Sequence, residues 1–357
     1  MSKRPRHLAA ARAATARRPA PLVLTRHRQR GAAVVTALLV VTLAVVVVSG
    51  MLWRQQVQIR SIENQRLLAQ ATWIERAAVD WARLILRDDQ RRTNVDQLGE
   101  PWAVPIAETR LSDFLGAALR TDQEGETSFL SGRILDAQAR FNLSNLVLWT
   151  ASETQGRVAT IDAASLAIYR RLLQTLGLNV ALAEPTARYL LSAAGGSNGN
   201  SSDSQRGLRS PDDVNDLLAI PGYTPAIVAT LTPFVDVLPE RTLVNANTAE
   251  AEVLTAVIDK LPLDRARELV RQRDRAFFNN IGDLQTQLRT LAPQADPNAA
   301  TSTLDVRTHY FLVYGLIRHE RASRMQVSLV YRGEVLGNAN TTRVVWVRDI
   351  DRMPEQR

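Results

Sequence analysis

The chain has 357 residues, 45% of them hydrophobic, with 44 Lys and Arg against 36 Asp and Glu and no cysteine. Without cysteine there is no disulfide framework, no thiolate metal site and no cysteine nucleophile. Nine of the 44 basic residues precede Gly31 with no Asp or Glu among them, which leaves 35 against 36 beyond it. The net charge of +8 is therefore that of the leader and does not argue for nucleic acid as partner of the remainder.

After the basic residues 1–31 comes AAVVTALLVVTLAVVVVSGMLW, Ala32 to Trp53, about 22 residues without charge. At about 1.5 Å per residue this crosses a bilayer core, and the arginines before it place the N-terminus in the cytoplasm and the rest of the chain outside it. The apolar run is too long for a cleaved secretory signal peptide, so an uncleaved signal anchor is the plain alternative. From Arg54 to Arg87 there is neither Pro nor Gly, and Leu67, Ala71, Ile74, Ala78, Trp81 and Ile85 recur at spacings of three and four. They predict one helical packing stripe, with Arg76, Asp80, Arg83 and Arg87 on another face. One helix from Ala32 to Arg87 would be about 84 Å long.

Asp88 to Thr127, with Gly99, Pro101 and Pro105, reads as a polar loop holding one short helix, and SGRILDAQARFNLSNL, Ser131 to Leu146, begins as a strand. Helical patterns follow at Asp162 to Leu176 and Pro185 to Ala194, then a Gly- and Ser-rich loop, Gly195 to Gly207. Helix starts are predicted at Ser210-Pro211, Thr224-Pro225, Asn247 and Asp264, with Glu250 completing a capping box for Asn247. From Thr303 the pattern becomes that of strands: TLDVRTHYFLVYGLI, MQVSLVYRG and TRVVWVRDI.

The predicted fold is α+β: a long N-terminal helix packed on an antiparallel sheet, with an all-α lobe inserted between strands. Its segments are a leader (1–31), a membrane-spanning part (32–53), the amphipathic helix and first strands (54–149), the inserted lobe (150–300), the closing strands (301–350) and a tail (351–357).

Two function classes compete with a structural role. Leu217 to Leu231 and Ala266 to Leu284 resemble helix-hairpin-helix units, as membrane-anchored DNA receptors of competence systems carry. The first lies in a stretch, Ser210 to Leu238, with Asp212, Asp213, Asp216 and Asp236 and no Lys or Arg. That surface repels phosphate. The second carries Arg265, Arg267, Arg271, Arg273 and Arg275, but pairs such as Asp264 with Arg267 and Glu268 with Arg271 predict a solvated helix face. Catalysis has little to stand on: beyond the leader the histidines are His309 and His319, read as sheet-surface residues that only a turn at Gly315 would bring together. No HExxH, GxSxG, P-loop or GxGxxG occurs, so no enzyme is expected.

A basic leader ending in glycine, a membrane helix that runs on into an amphipathic helix, and two spaced motifs together resemble the type IV pilin and pseudopilin class. The motifs are Asp136, Phe141, Asn142, Leu143 and Leu146, and the run LVNANTA with Asn245, Asn247 and Thr248. The resemblance implies cleavage by a prepilin peptidase between Gly31 and Ala32, followed by methylation of the new N-terminus. Most members carry Glu at the fifth mature position, where this chain has Thr36; its absence is similar to the large minor pseudopilin K family of type II secretion systems. That likeness implies a single-pass protein of a bacterial inner membrane, periplasmic beyond the span. It further implies a sterile-alpha-motif-like helical lobe and a place at the pseudopilus tip with minor pseudopilins I and J, without nucleic acid. The family also binds calcium in the lobe. Here the acidic motif is largely gone, leaving Asp203, Asp212 and Asp213 as candidates and no cofactor that the residues themselves require.

Overall fold

The apolar run after Gly31 continues without a break into one helix, α1, over Arg30–Arg92 (63 residues), in a computed structural model that describes residues 30–110, 113, 128–152, 156–195, 211–319, 322–335 and 338–353. The leader before Arg30 lies outside the described residues. Among these residues α1 is the one helix long and apolar enough to cross a membrane. The chain divides into two compact units, residues 1–63 and 64–357. In the described part of the first, large apolar side chains are exposed, Val46 at 67% and Trp53 at 71%. Water disfavours such a surface and a lipid core accepts it.

In the second unit, β1 (Ile106–Arg110) and β2 (Ser128–Asp136) precede β3 (Phe141–Asn142), β4 (Val147–Ser152) and β5 (Gly156–Ile161). Next come α2 (Ala163–Thr175), α3 (Ala183–Ala193), α4 (Pro225–Leu231), β6 (Val235–Asp236) and β7 (Val244–Asn245). They are followed by α5 (Ala251–Val257), α6 (Leu263–Arg275), α7 (Ile281–Leu291) and β8 (Leu304–Asp305). The chain closes with β9 (Tyr310–His319), β10 (Ala322–Val335) and β11 (Asn338–Asp349).

Five of these strands form one antiparallel sheet in the order β1-β2-β9-β10-β11. Alternation along each strand gives the sheet two apolar faces. Phe311, Val313 and Ile317 join Leu130, Ile134 and Val330 in clusters with α1, whereas Tyr310, Leu312, Val327 and Leu329 cluster with Ala137 and Leu238. The second set looks toward the chain that enters and leaves the helical lobe.

The buried row of α1 is Leu67, Ala71, Glu75, Val79, Ala82, Leu86 and Asp89. Leu67 and Ala71 belong to the stripe expected from sequence; Ile74, Ala78 and Ile85 sit half-buried on its flank, and Trp81 is exposed at 37%. An apolar template steps over Glu75 and Asp89, the two charged positions the helix actually buries.

The helical lobe has its own core, built around Leu172, Leu173, Leu217, Leu231, Leu254 and Leu288. It does not begin helically at 150, because β4 and β5 form an antiparallel hairpin from Val147 to Ile161. Asp162 then caps α2 by accepting from the Ala164 N–H. The helix stops at Gly177, whose φ of +69° lets Leu178 N–H donate back to Leu173 O at 2.8 Å.

Three predicted starts change. Ser210 lies outside the described residues, and Pro211 opens no helix; instead Asp213 and Asp216 cap a 3-10 turn over Val214–Ala219. Asn247 caps nothing, and α5 begins at Ala251. Thr224 caps α4 with Pro225 behind it, and Asp264 lies in the first turn of α6.

Candidate assembly surface and its buried supports

The two motifs singled out in the sequence meet in space. Asp136, at the end of β2, accepts from Gln138 N–H at 2.7 Å through Oδ1. Its Oδ2 accepts from Thr248 and Thr308 hydroxyls at 2.6 Å each and from Asn245 Nδ2 at 2.9 Å. Burial pushes this carboxyl above its ordinary range while the four donors oppose the shift. Asn245 also donates to Asp96 O at 3.0 Å, so the lobe, the sheet and the segment after α1 share one buried junction.

Asn142 works the same way on the other side of the lobe entrance. Its Oδ1 accepts from Ser144 N–H at 3.0 Å and Leu238 N–H at 3.1 Å, and its Nδ2 donates to Glu240 O at 2.7 Å. Asn247 donates to Phe278 O at 2.9 Å and accepts Phe278 N–H at 2.8 Å, which ties the start of α5 to the turn between α6 and α7. Phe141 stacks on Tyr169 with centroids 6.1 Å apart, and Leu143 is fully buried. These motif residues hold backbone in place.

A further buried group was invisible in the sequence. Arg332 of β10 donates to Asp89 Oδ2 at 2.7 Å, to Asp96 and to Thr308 O at 3.0 Å, with its guanidinium 4.5 Å from the Phe311 ring centroid. Glu100 closes the cluster, accepting from Trp102 Nε1 at 2.8 Å and Gln97 N–H at 3.0 Å. Asp89, Asp96 and Glu100 place oxygens within 4.8 Å of one another. The guanidinium supplies cationic charge there, and burial together with Glu100 raises Asp89 to about 6, so protons supply more. In sequence the segment after α1 reads as a polar loop, and nothing in it names a cation more than two hundred residues downstream.

Along α1, the surface turned away from the sheet carries Trp73 (67% exposed) and Leu84 (56%), with Trp81 nearby and Arg76 5.1 Å over the Trp73 ring. Gly31 and Ala32 lie in the first turns of the helix. The Thr36 hydroxyl donates to Ala32 O and Ala33 O at 3.0 Å, so it is satisfied by its own helix without any charge.

Of the calcium candidates, Asp203 lies outside the described residues. Asp213 Oδ1 accepts from Asn215 N–H at 2.7 Å, while its Oδ2 takes Arg348 Nη1 at 2.9 Å. Arg348 Nη2 reaches Asp212 O at 2.8 Å, and Asp216 Oδ2 accepts the N–H groups of Asp212 and Asp213. Calcium takes six to eight oxygens; here both carboxylate oxygens of Asp213 accept hydrogen bonds, and the Arg348 guanidinium also lies 3.4 Å from Asp212 Oδ2. Asp212 and Asp213 do not fit the ion.

Three of the arginines behind the DNA-binding alternative have partners within the chain. Arg273 is buried and donates to Ala246 O and Ala249 O, Arg271 pairs with Glu268 at 2.5 Å, and Arg267 pairs with Glu252 rather than with Asp264. Gly315 turns nothing: it lies within β9, opposite Gly132. His319 is buried against the Ser128 hydroxyl at 2.6 Å, and His309 Nδ1 lies 3.0 Å from Arg332 O.

Comparison with known proteins agrees with this geometry. Two family models, both described as Type II secretion system (T2SS), protein K, match residues 139–240 and 244–307. The type II secretion system protein K of Pseudomonas aeruginosa is 31% identical over 333 residues, 87% of this chain and 90% of that protein. The Klebsiella pneumoniae protein of the same name is 27% identical, covering 84% and 93%. A crystal structure of the GspK-GspI-GspJ complex from the enterotoxigenic Escherichia coli type 2 secretion system aligns with a TM-score of 0.59 at 19% identity, over 81% of this chain and 99% of that one. At that identity the likeness is one of fold.

Proposed function

The chain belongs to the type II secretion system protein K family, and from that premise we propose that it is the minor pseudopilin at the tip of a secretion pseudopilus. In this role it is a structural subunit that supports export of folded proteins across an outer membrane, and it catalyses no reaction. The observation that carries the reading is α1. One helix joins a span of membrane-crossing length to a sheet that buries its far half, and it still exposes Trp73 and Leu84 on the opposite face. Exposed apolar residues at helical spacing are what a partner helix covers.

In this account prepilin peptidase cuts between Gly31 and Ala32 on the cytoplasmic side, the span lies in the inner membrane, and residues beyond it are periplasmic. Minor pseudopilins I and J lie along α1. Thr36 supplies no carboxylate for the amine of a subunit above, and the lobe blocks addition there, so the chain ends a filament rather than extending it. The described acidic turn at Asp212 and Asp213 is held by Arg348 in place of calcium, and DNA has no part. Mass spectrometry of the membrane-extracted protein tests the processing step: the account expects N-methyl-Ala32, whereas an intact leader points to a plain signal anchor. Gold labelling of assembled filaments tests position, with label expected at ends; label along the shaft contradicts it.

A further inference from the structure

Beside α1 the fold leaves a slot. Its floor is a pair of glycines, Gly132 of β2 and Gly315 of β9, directly opposite each other in register. Val79 and Ala82 of α1 form one wall, and exposed Trp81 and Val104 mark its mouth. The cavity measures about 60 Å³, room for about five water-sized groups at roughly 10–15 Å³ each. Glu75 also lines it, 4% exposed.

Glu75 is poorly served by its surroundings. Its Oε1 is buried and accepts no hydrogen bond among the described residues. The neighbouring cation is Arg324, with Nε 3.4 Å away, but Nε and Nη2 of Arg324 already donate to Asp349 at 3.2 and 3.0 Å and Nη1 to the Thr72 hydroxyl at 2.5 Å. A buried carboxylate oxygen that accepts no hydrogen bond is costly even with the Arg324 charge 3.4 Å from it, in a slot whose other polar lining is Ser131, Arg133, Tyr314 and Gln326, and burial holds its proton affinity above the ordinary range despite Arg324.

We propose that the slot receives a lysine or arginine side chain from a partner helix laid alongside α1, its aliphatic stem between Val79, Ala82 and the glycine floor, its cation on Glu75. The chemistry is complementary at both ends: long basic side chains cover apolar surface with their stems and carry the donors that Glu75 lacks. A purely apolar side chain fills the space and leaves the carboxylate bare. The inference deepens the tip-subunit reading and rests on it, because the partner helix is that of pseudopilin I or J.

The test is the affinity of the full-length, detergent-solubilised chain for the I and J pseudopilins of its own system, with Glu75→Gln and Gly315→Val. Glu75→Gln keeps the shape and removes the charge. Gly315→Val fills the slot, and a Cβ at Gly315 meets no atom within 4 Å. Both variants are expected to bind at least ten-fold more weakly, while Glu75→Gln melts no lower than wild type, since the buried charge was a burden to the isolated fold. If only Gly315→Val weakens binding, the occupant is apolar and the proposal falls. It falls also if neither variant weakens binding, or if Glu75→Gln loses affinity only in step with its melting temperature. Failure of the wild type to bind I and J overturns the tip-subunit reading itself, a result distinct from these.

Discussion

Arg332 of β10 and Asp89 of α1 stand 243 residues apart in sequence and 2.7 Å apart in space, both almost fully buried. The guanidinium also holds Asp96 and Leu86 O, so one side chain fastens the end of α1 and the segment after it to the sheet. Replacing it with Met keeps much of the packing against Phe311 and leaves three buried carboxyls without their cation. A loss of about 3–5 kcal/mol is expected in chemical denaturation. A loss below about 1 kcal/mol contradicts the assignment.

The same cluster sets a pH dependence. Asp89 titrates near 6 in the folded chain, raised by burial and then by Glu100, against about 3.9 when unfolded. The folded state therefore takes up the proton first, and this group's contribution to stability grows as pH falls from about 7 through 6 toward 4. Asp96 and Asp136 shift in the same direction, by burial. Thermal unfolding is expected at a higher temperature at pH 5.5 than at pH 7.5, with the difference reduced in Asp89→Asn. A fall in melting temperature over that interval counts against it.

Asn142 ties Leu238 and Glu240 to the start of the lobe, and its removal leaves the Leu238 N–H without its partner in the interior. Asn142→Ala is expected to cost about 2–3 kcal/mol, at the upper end for an orphaned buried group. Asn245→Ala and Asp136→Ala share a hydrogen bond, so the double variant should cost less than the two single losses together. Strict additivity in denaturation would show that the contact carries no coupling.

The acidic turn after residue 210 depends on Arg348, which reaches it from β11 and lies 4.0 Å over Trp346. Arg348 is partly exposed, so Arg348→Ala is expected to cost about 1–2 kcal/mol rather than more. Adding calcium should not restore it. Recovery of the melting temperature in millimolar calcium would mean that Asp212 and Asp213 accept an ion after all.

Much of this architecture was legible because its signals are local. The charge-free run and unbroken helical pattern mark α1, and β-branched and aromatic runs mark β9 to β11. The motif around Asp136 and the one around Asn245 pointed to positions that the fold indeed brings together. What stayed hidden depends on distant pairing. Nothing near Arg332 names Asp96, 236 residues away. Burial of Glu75 and Asp89 follows from what faces them, and apolar spacing alone points Trp81 inward, where the fold leaves it 37% exposed. Asn247 has the sequence of a cap, but its amide meets Phe278, 31 residues on, where a buried backbone pair needs it more. The hairpin strands Val147–Ser152 and Gly156–Ile161 are only six residues each, too short for a period-2 pattern to stand out at the edge of the lobe.

The central claim, that this chain terminates a filament, is most directly tested by native mass spectrometry of the full-length protein co-expressed with its cognate minor pseudopilins I and J and extracted in detergent. A discrete complex containing a single copy of this chain bound to I and J is expected. An open series of species with increasing copies of this chain, or no complex with I and J, would contradict it.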